Sequence, residues 1–238
     1  NYSNKPITGV ITNENNSYSD IRNNLVKLVK TIKVNNKAEL LTALSNLTGE
    51  AVIEGVGDVV VNTEASNEIV IPAGTTIRNI DFTFNTNCNV IGVMSSYADT
   101  VTFEDCTFAG DNVLIGNDAS LEQSNYIFNN CELNGSIHSN VGLNEETWTQ
   151  YNNCKFGLFV DGWSKGFVSC QGGTQTFTAC TFDYAGGATA GSNQYIKWNA
   201  VNAYADGPYT SNVILSGCNS VATQRFTAGS GKATITVK

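Results

Sequence analysis

The chain has 238 residues, of which 41% are hydrophobic and 14% charged, and its formal net charge is −8. That length supports one substantial core and at most two domains, and scarce charge with abundant Gly, Asn, Thr and Ser suits strands and tight turns better than long solvated helices. The acidic balance argues against a nucleic-acid partner, which needs concentrated Lys and Arg, and no apolar run approaches the roughly 18 residues of a membrane span.

Residues 1–30 read as an N-terminal arm or lead-in segment. "NYSNKPITGVITNENNSYSD" is polar, Asn-rich and without periodicity, as expected of a segment ordered by a neighbour. Lys5, Arg22, Lys27, Lys30, Lys33 and Lys37 make up six of the thirteen basic residues, and they are read as its polar side rather than as a docking patch for an acidic partner. The sequence opens without Met or a signal peptide, so a processed or trimmed soluble protein is expected.

Residues 31–60 predict a strand, a short helix and a strand, from "TIKVNNKAELLTALSNLTGEAVIEG". Asn36 and Glu39 are spaced as an N-terminal capping box, and Leu40, Leu41, Leu44 and Leu47 supply an apolar helical face.

Residues 61–238 are repetitive. "TVTFEDCTFAG", "NYIFNNCELNG", "TQYNNCKFG", "TQTFTACTFDY" and "NVILSGCNS" each place a large apolar residue three before a cysteine, and the first four place another two after it. With Ile80 as an earlier occupant of the cysteine position, the steps are 26, 25, 23 and 26 residues, then 38 to Cys218. A period near 25 in a strand-rich sequence is that of a solenoid. The column three before holds Ile77, Phe103, Phe128, Tyr151, Phe177 and Leu215, and the column two after holds Phe82, Phe108, Leu133, Phe156 and Phe182. Side chains five apart on a straight strand point to opposite faces, so both columns face one core only if the chain turns between them. The bend falls on the pair before each cysteine: Glu104-Asp105, Asn129-Asn130, Asn152-Asn153, Thr178-Ala179 and Ser216-Gly217. Asn, Asp and Gly tolerate the left-handed conformation such a bend needs, and Asn79, Asn130 and Asn153 are placed to hydrogen-bond along the stack.

Cys106, Cys131, Cys154 and Cys180 should then stack about 4.8 Å apart and parallel, whereas a disulfide wants convergent Cβ atoms roughly 3.8 Å apart. They are expected to be reduced and to act as small buried hydrophobes, which fits folding in a reducing cytoplasm, virion proteins included. Cys88 and Cys170 lie outside this ladder, and their pairing is open. No CxxC occurs and there is one histidine, His138, so no metal site and no cofactor are expected.

The rungs of about 25 residues and the Asn column at a tight bend resemble the right-handed parallel β-helix of the pectate-lyase-like superfamily, over residues 31–238. The resemblance implies an all-β fold whose N-terminal helix plugs the open end of the solenoid. It implies a fold and no activity. Its polysaccharide-cleaving members use paired carboxylates, or calcium with a basic residue, along a groove. Here the Arg-Xaa-Pro-Xaa-Xaa-Arg pattern of pectate lyases is missing, as is the polygalacturonase set. The dense carboxylates are Asp99, Glu104, Asp105, Asp111 and Asp118, the fallback catalytic group if the chain is an enzyme; Glu104 and Asp105 read more simply as solvated bend residues. Glu132 and Lys155 fall in one outward column and should form a surface ion pair of little energetic consequence.

The rung between Cys180 and Cys218 is about 12 residues longer than the others and carries Tyr184, Tyr195, Trp198, Tyr204 and Tyr209 among Gly, Asn and Ser. Aromatic faces beside amides suit sugars, which makes Tyr195, Trp198, Tyr204 and Tyr209 the candidate ligand-binding residues; the competing reading is that they pack the loop or cover the C-terminal end. Trp148 and Trp163 are open to both readings. "KATITVK" at the C-terminus is a β-rich strand whose edge invites a partner.

The favoured expectation is a non-catalytic virion or cell-surface protein, a rigid rod for assembly and glycan adhesion, as in the phage tail spikes and bacterial surface solenoids that the sequence resembles. It would be a homo-oligomer or part of a larger particle, with a surface polysaccharide as its partner. The alternatives are a polysaccharide lyase or hydrolase with an atypical carboxylate site, and a structural filament subunit assembled through the N-terminal arm.

Overall fold

Two apolar columns at offsets of three and two demand a corner, and in the computed structural model the corner is there. Residues 29–64, 68–84, 90–92, 100–115, 125–140, 148–157, 168–182, 199–204, 210–220, 225–228 and 232–238 are described. The chain divides into two compact units, 1–30 and 31–238, and the second is an all-β parallel solenoid with coils of about 25 residues and, among the described residues, one short helix.

Strands before each bend form a nine-stranded sheet: Lys30–Val34 (β1), Ala51–Gly55 (β2), Thr75–Arg78 (β5), Thr100–Glu104 (β8), Asn125–Asn129 (β10), Trp148–Asn152 (β12), Gly173–Thr178 (β15), Ser211–Ser216 (β18) and Ala233–Val237 (β21). From β2 to β21 every neighbour pairs in parallel. After the bend come Val60–Thr63 (β3), Asp81–Phe84 (β6), Thr107–Ile115 (β9), Glu132–Asn140 (β11), Lys155–Phe156 (β13), Thr181–Phe182 (β16) and Asn219–Ser220 (β19). A third strip holds Ile69–Val70 (β4), Val90–Gly92 (β7), Val168–Gln171 (β14), Asn199–Tyr204 (β17) and Arg225–Ala228 (β20). Strips two and three merge where β9 and β11 run through both: β11 pairs β13 at Glu132–Leu133 and β14 at Ile137–Asn140.

The bend residue is left-handed on every described rung: Asn79 (φ 55°), Asp105 (52°), Asn130 (54°), Asn153 (53°), Ala179 (53°) and Gly217 (61°). The corner does not break the ladder, because the bend N–H still donates to the next rung, as from Asn130 to the Asn152 carbonyl at 2.9 Å and from Ala179 to the Ser216 carbonyl at 2.9 Å. Asn153 Nδ2 donates to Asn130 Oδ1 at 2.9 Å, as the sequence predicts. Asn79 instead donates to the Gly55 carbonyl (3.1 Å), since Asp105 occupies the next rung and Gly55 the one before. A second amide pair was not foreseen: Asn152 Nδ2 donates to Asn129 Oδ1 at 3.0 Å, one residue upstream of the bend column.

Inside, both apolar columns are fully buried. Rings stack along the solenoid, Phe103 on Phe128 at 5.0 Å, Phe128 on Tyr151 at 4.9 Å and Tyr151 on Phe177 at 4.7 Å, and meet edge-on across it, Phe103 to Phe108 at 5.1 Å. Both geometries put the positive ring edge or an offset face against the negative face of a neighbour. Cys106, Cys131, Cys154 and Cys180 are buried free thiols, as expected, and Cys218 continues the ladder half-buried. Each thiol donates to the carbonyl of the large apolar residue one rung back: Cys131 to Phe103 (3.6 Å), Cys154 to Phe128 (3.4 Å), Cys180 to Tyr151 (3.3 Å) and Cys218 to Phe177 (3.4 Å). Cys170, on β14, is a further buried free thiol, and Cys88 lies outside the described residues.

The helix Lys37–Ser45 (α1) starts where expected. Asn36 accepts the Glu39 N–H at 3.0 Å, while the Glu39 carboxylate reaches past Asn36 to the N–H of Asn35 at 2.9 Å. Leu40, Ala43 and Leu44 enter the core, with Leu41 and Leu47 packed on its margin. The four-leucine face therefore missed Ala43, which is small enough to lie against the sheet.

Candidate functional site

Of the fallback carboxylates, Glu104 and Asp105 have described side chains, and Glu104 is the one held by a cation. Register aligns Glu54, Arg78 and Glu104 on successive strands of the nine-stranded sheet. Arg78 donates from Nε at 2.9 Å and Nη2 at 2.7 Å to Glu104 Oε2. This forked, charge-assisted contact raises the Arg78 pKa, first through the Glu104 hydrogen bonds. Asp105 occupies the left-handed bend next to it. Asp111 lies on β9, and Asp99 and Asp118 lie outside the described residues. Among the described residues no three metal-ligating side chains gather. On the second strip Glu132 and Lys155 pair in register, Oε1 to Nζ at 3.6 Å, both about half exposed, as predicted.

The long rung gains its length on two connections rather than one. β16 ends at Phe182 and β17 begins at Asn199, whereas one rung earlier β13 ends at Phe156 and β14 begins at Val168. On the other side of β17, residues 205–210 precede β18, where the rung before has Gly172 alone between β14 and β15, in a tight turn with φ of 72° at Gly172 and 63° at Gly173. Between these connections β17 is a ladder strand, with Tyr204 in register with Gln171 on one side and a register shift between Asn199 and Val201 against β20 on the other. Of the four candidate ligand-binding residues, Tyr204 thus closes a ladder strand, and Tyr195, Trp198 and Tyr209 lie outside the described residues.

The outer face of the nine-stranded sheet carries a signal that reading the cysteine columns alone misses. Four positions before each cysteine is one outward column: Thr76, Thr102, Ile127, Gln150, Thr176 and Ile214, continued by Thr236. Six positions before it is another, with Thr100 beside Asn125, which is itself buried, and Trp148, Thr174, Asn212 and Thr234 in register. Trp148 is half-buried, and burial alternates along β12 so that Thr149 and Tyr151 face the core while Trp148 and Gln150 face out. Its N–H donates to Asn125 Oδ1 at 3.0 Å, which ties the start of β12 to the neighbouring strand. Neither column holds a charged residue, and the corner column beside them changes from Glu54, Arg78 and Glu104 to Asn129, Asn152, Thr178 and Ser216. Charge on this face is therefore confined to its two ends, with Glu54, Arg78 and Glu104 at one and Lys238, directly after Val237, at the other. The offsets of four and six were visible in the sequence; their outward direction follows from the offset of three facing in.

No family model, no curated protein and no solved structure matches this chain.

Proposed function

We propose that the protein is a non-catalytic structural and adhesion component of a virion or cell surface, a solenoid rod of the pectate-lyase-like kind that holds a surface glycan without cleaving it. The observation that carries this reading is the use of Glu104: this fallback carboxylate is held by two Arg78 donors, a structural role on a ladder corner. A general acid or base must instead be aimed at substrate. The uninterrupted stack of buried rings supports a rigid rod, and the lengthened rung supplies aromatic residues for attachment.

Incubation of the full chain with bacterial capsular and cell-wall polysaccharides tests it. The expected result is retention on at least one polymer with no new reducing ends and no unsaturated products. Release of fragments overturns the non-catalytic reading and redirects attention to Asp99, Glu104, Asp105, Asp111 and Asp118. Within the same assay, Trp198→Ala combined with Tyr204→Ala should keep the melting temperature and lose retention if the long rung is the attachment point; early unfolding would assign those aromatics to packing.

A further inference from the structure

We infer that the outer face of the nine-stranded sheet, centred on Trp148, is a second binding surface, and that its ligand is an uncharged glycan lying along the solenoid axis. The inference rests on the glycan-adhesion reading above but uses a different face from the long rung. Three features of the face select the ligand.

The first is the absence of charge. From β10 to β18 all three outward columns of the sheet are neutral, in a chain whose net charge is −8. An anionic polymer, whether nucleic acid or polyuronate, meets no Lys or Arg there to neutralise it, and the surrounding acidic protein repels it. A neutral polymer is not repelled.

The second is the chemistry of what remains. Trp148 offers an indole on the outer side of β12, half-buried, while its backbone N–H donates to Asn125 Oδ1. An aromatic face packs against the C–H face of a pyranose ring, while neighbouring amides and hydroxyls, here Gln150, Thr174 and Thr176, exchange hydrogen bonds with the ring substituents. Thr and Gln on a rigid sheet lose little freedom when they do so, because parallel strands on either side already restrict them.

The third is periodicity. Successive strands set equivalent side chains about 4.8 Å apart, so the four neutral strands β10, β12, β15 and β18 extend the surface over roughly 15 Å. Each of these strands carries a polar or indole side chain in one of the two columns, the buried Asn125, then Trp148 and Gln150, then Thr174 and Thr176, then Asn212, so a linear ligand lying across β12, β15 and β18 meets a hydrogen-bonding group on every rung, with Ile127 and Ile214 as the apolar breaks.

The test takes the full chain with insoluble cellulose, chitin, β-1,3-glucan and mannan as neutral probes, and polygalacturonate and alginate as acidic ones, and measures depletion from the supernatant. Retention is expected on at least one neutral polymer and on neither acidic one. Trp148→Ala should weaken that retention at least ten-fold with an unchanged melting temperature. Thr176→Glu, which puts a charge on the same face without removing the indole, should weaken it too, and it serves if Trp148→Ala fails to fold. Retention unaffected by either variant but lost with Trp198→Ala and Tyr204→Ala would overturn this inference and leave the adhesion reading standing. So would retention on the acidic polymers alone. A dimer that Trp148→Ala dissociates, without glycan retention, would instead assign the face to self-association and overturn the inference; retention of the parent on no polymer of either kind would remove the glycan half of both readings.

Discussion

Ala179 holds φ at 53°, a conformation that its counterparts on the other rungs fill with Asn, Asp or Gly. A left-handed residue bearing Cβ costs about 1–2 kcal/mol, and Asn recovers part of this through its side-chain amide. Ala179→Asn should therefore stabilise the protein by about 1 kcal/mol: the position is exposed, and the new amide would stand over Asn153, which already donates to Asn130. For a chain of this size that is a rise of about 2–4 °C in melting temperature, measurable by calorimetry. No rise, or a fall, would show that the bend tolerates Ala without strain. The thiol ladder makes a separate prediction at this scale. Burial pushes the Cys170 thiol well up, and hydrogen bonds with Cys106 and Cys154, then burial, push up that of Cys131. Hydrogen bonding to Cys180 and burial raise the Cys218 thiol as well, and hydrogen bonds with Cys131 and Cys180 lower that of Cys154, so access rather than thiolate fraction sets the order: maleimide should label the half-buried Cys218 first and leave Cys106, Cys131, Cys154, Cys170 and Cys180 unlabelled until denaturant is added. Mass spectrometry of the peptides reads the order, and equal native labelling of the whole ladder would contradict the buried stack.

At the scale of the element, Gly55 marks where β2 meets the bend of the next rung. A Cβ there would lie 2.1 Å from the Asn79 carbonyl oxygen and 3.0 Å from Ile80 Cγ1. The first contact is with backbone already fixed in the left-handed bend, so it cannot rotate away. Gly55→Ala should cost about 2–3 kcal/mol by chemical denaturation, as overpacking does, while Gly49→Ala, where a Cβ meets nothing within 4 Å, should be near neutral. Equal effects would mean that β2 can shift relative to the bend. These elements differ in how plainly the sequence announced them. Strips one and two were legible because Phe103 and Phe108, or Phe177 and Phe182, flank a cysteine at unequal offsets that only a corner explains. The third strip was not, since "VIG", "VSCQ" and "NAVNAY" share only valine, too common in strands to align them, although Val168 and Val201 do pair in register. Nor was the continuity of β9 and β11 from strip two into strip three, because backbone pairing carries them through without a repeating side chain. The long rung read as one insertion for the same reason: β17 inside it has no cysteine to mark it. On the candidate site, the carboxylates were found by density alone, and the Arg78 partner of Glu104 appears only when rungs 26 residues apart are set side by side.

For the whole molecule, the stacking of rungs sets where stability lies. Each interior strand of the nine-stranded sheet is paired on both sides, and its inward apolar residue sits between two others, as Phe128 does between Phe103 and Tyr151. In such a stack a rung's stability is its own plus one interface term per neighbour, so a rung with one neighbour opens at lower free energy than one with two. The two ends of the sheet are not equivalent. At the β1 end, α1 inserts Leu40 and Leu44 into the core with Ile53 and Val61, and Lys37 ties the helix to the second strip by donating to the Asn62 carbonyl and pairing with Glu68. At the β21 end, burial falls away along the strand until Val237 is 63% exposed. Native-state hydrogen exchange should therefore be slowest at the amides of Phe103, Phe128 and Tyr151, intermediate in β2, and fastest in β21, with β18 next to open. Destabilising the protein with low denaturant should widen this gradient from the β21 side first. Uniform protection from β2 to β21 would show instead that the solenoid opens only as a single cooperative unit, with interface terms too large for any end rung to detach.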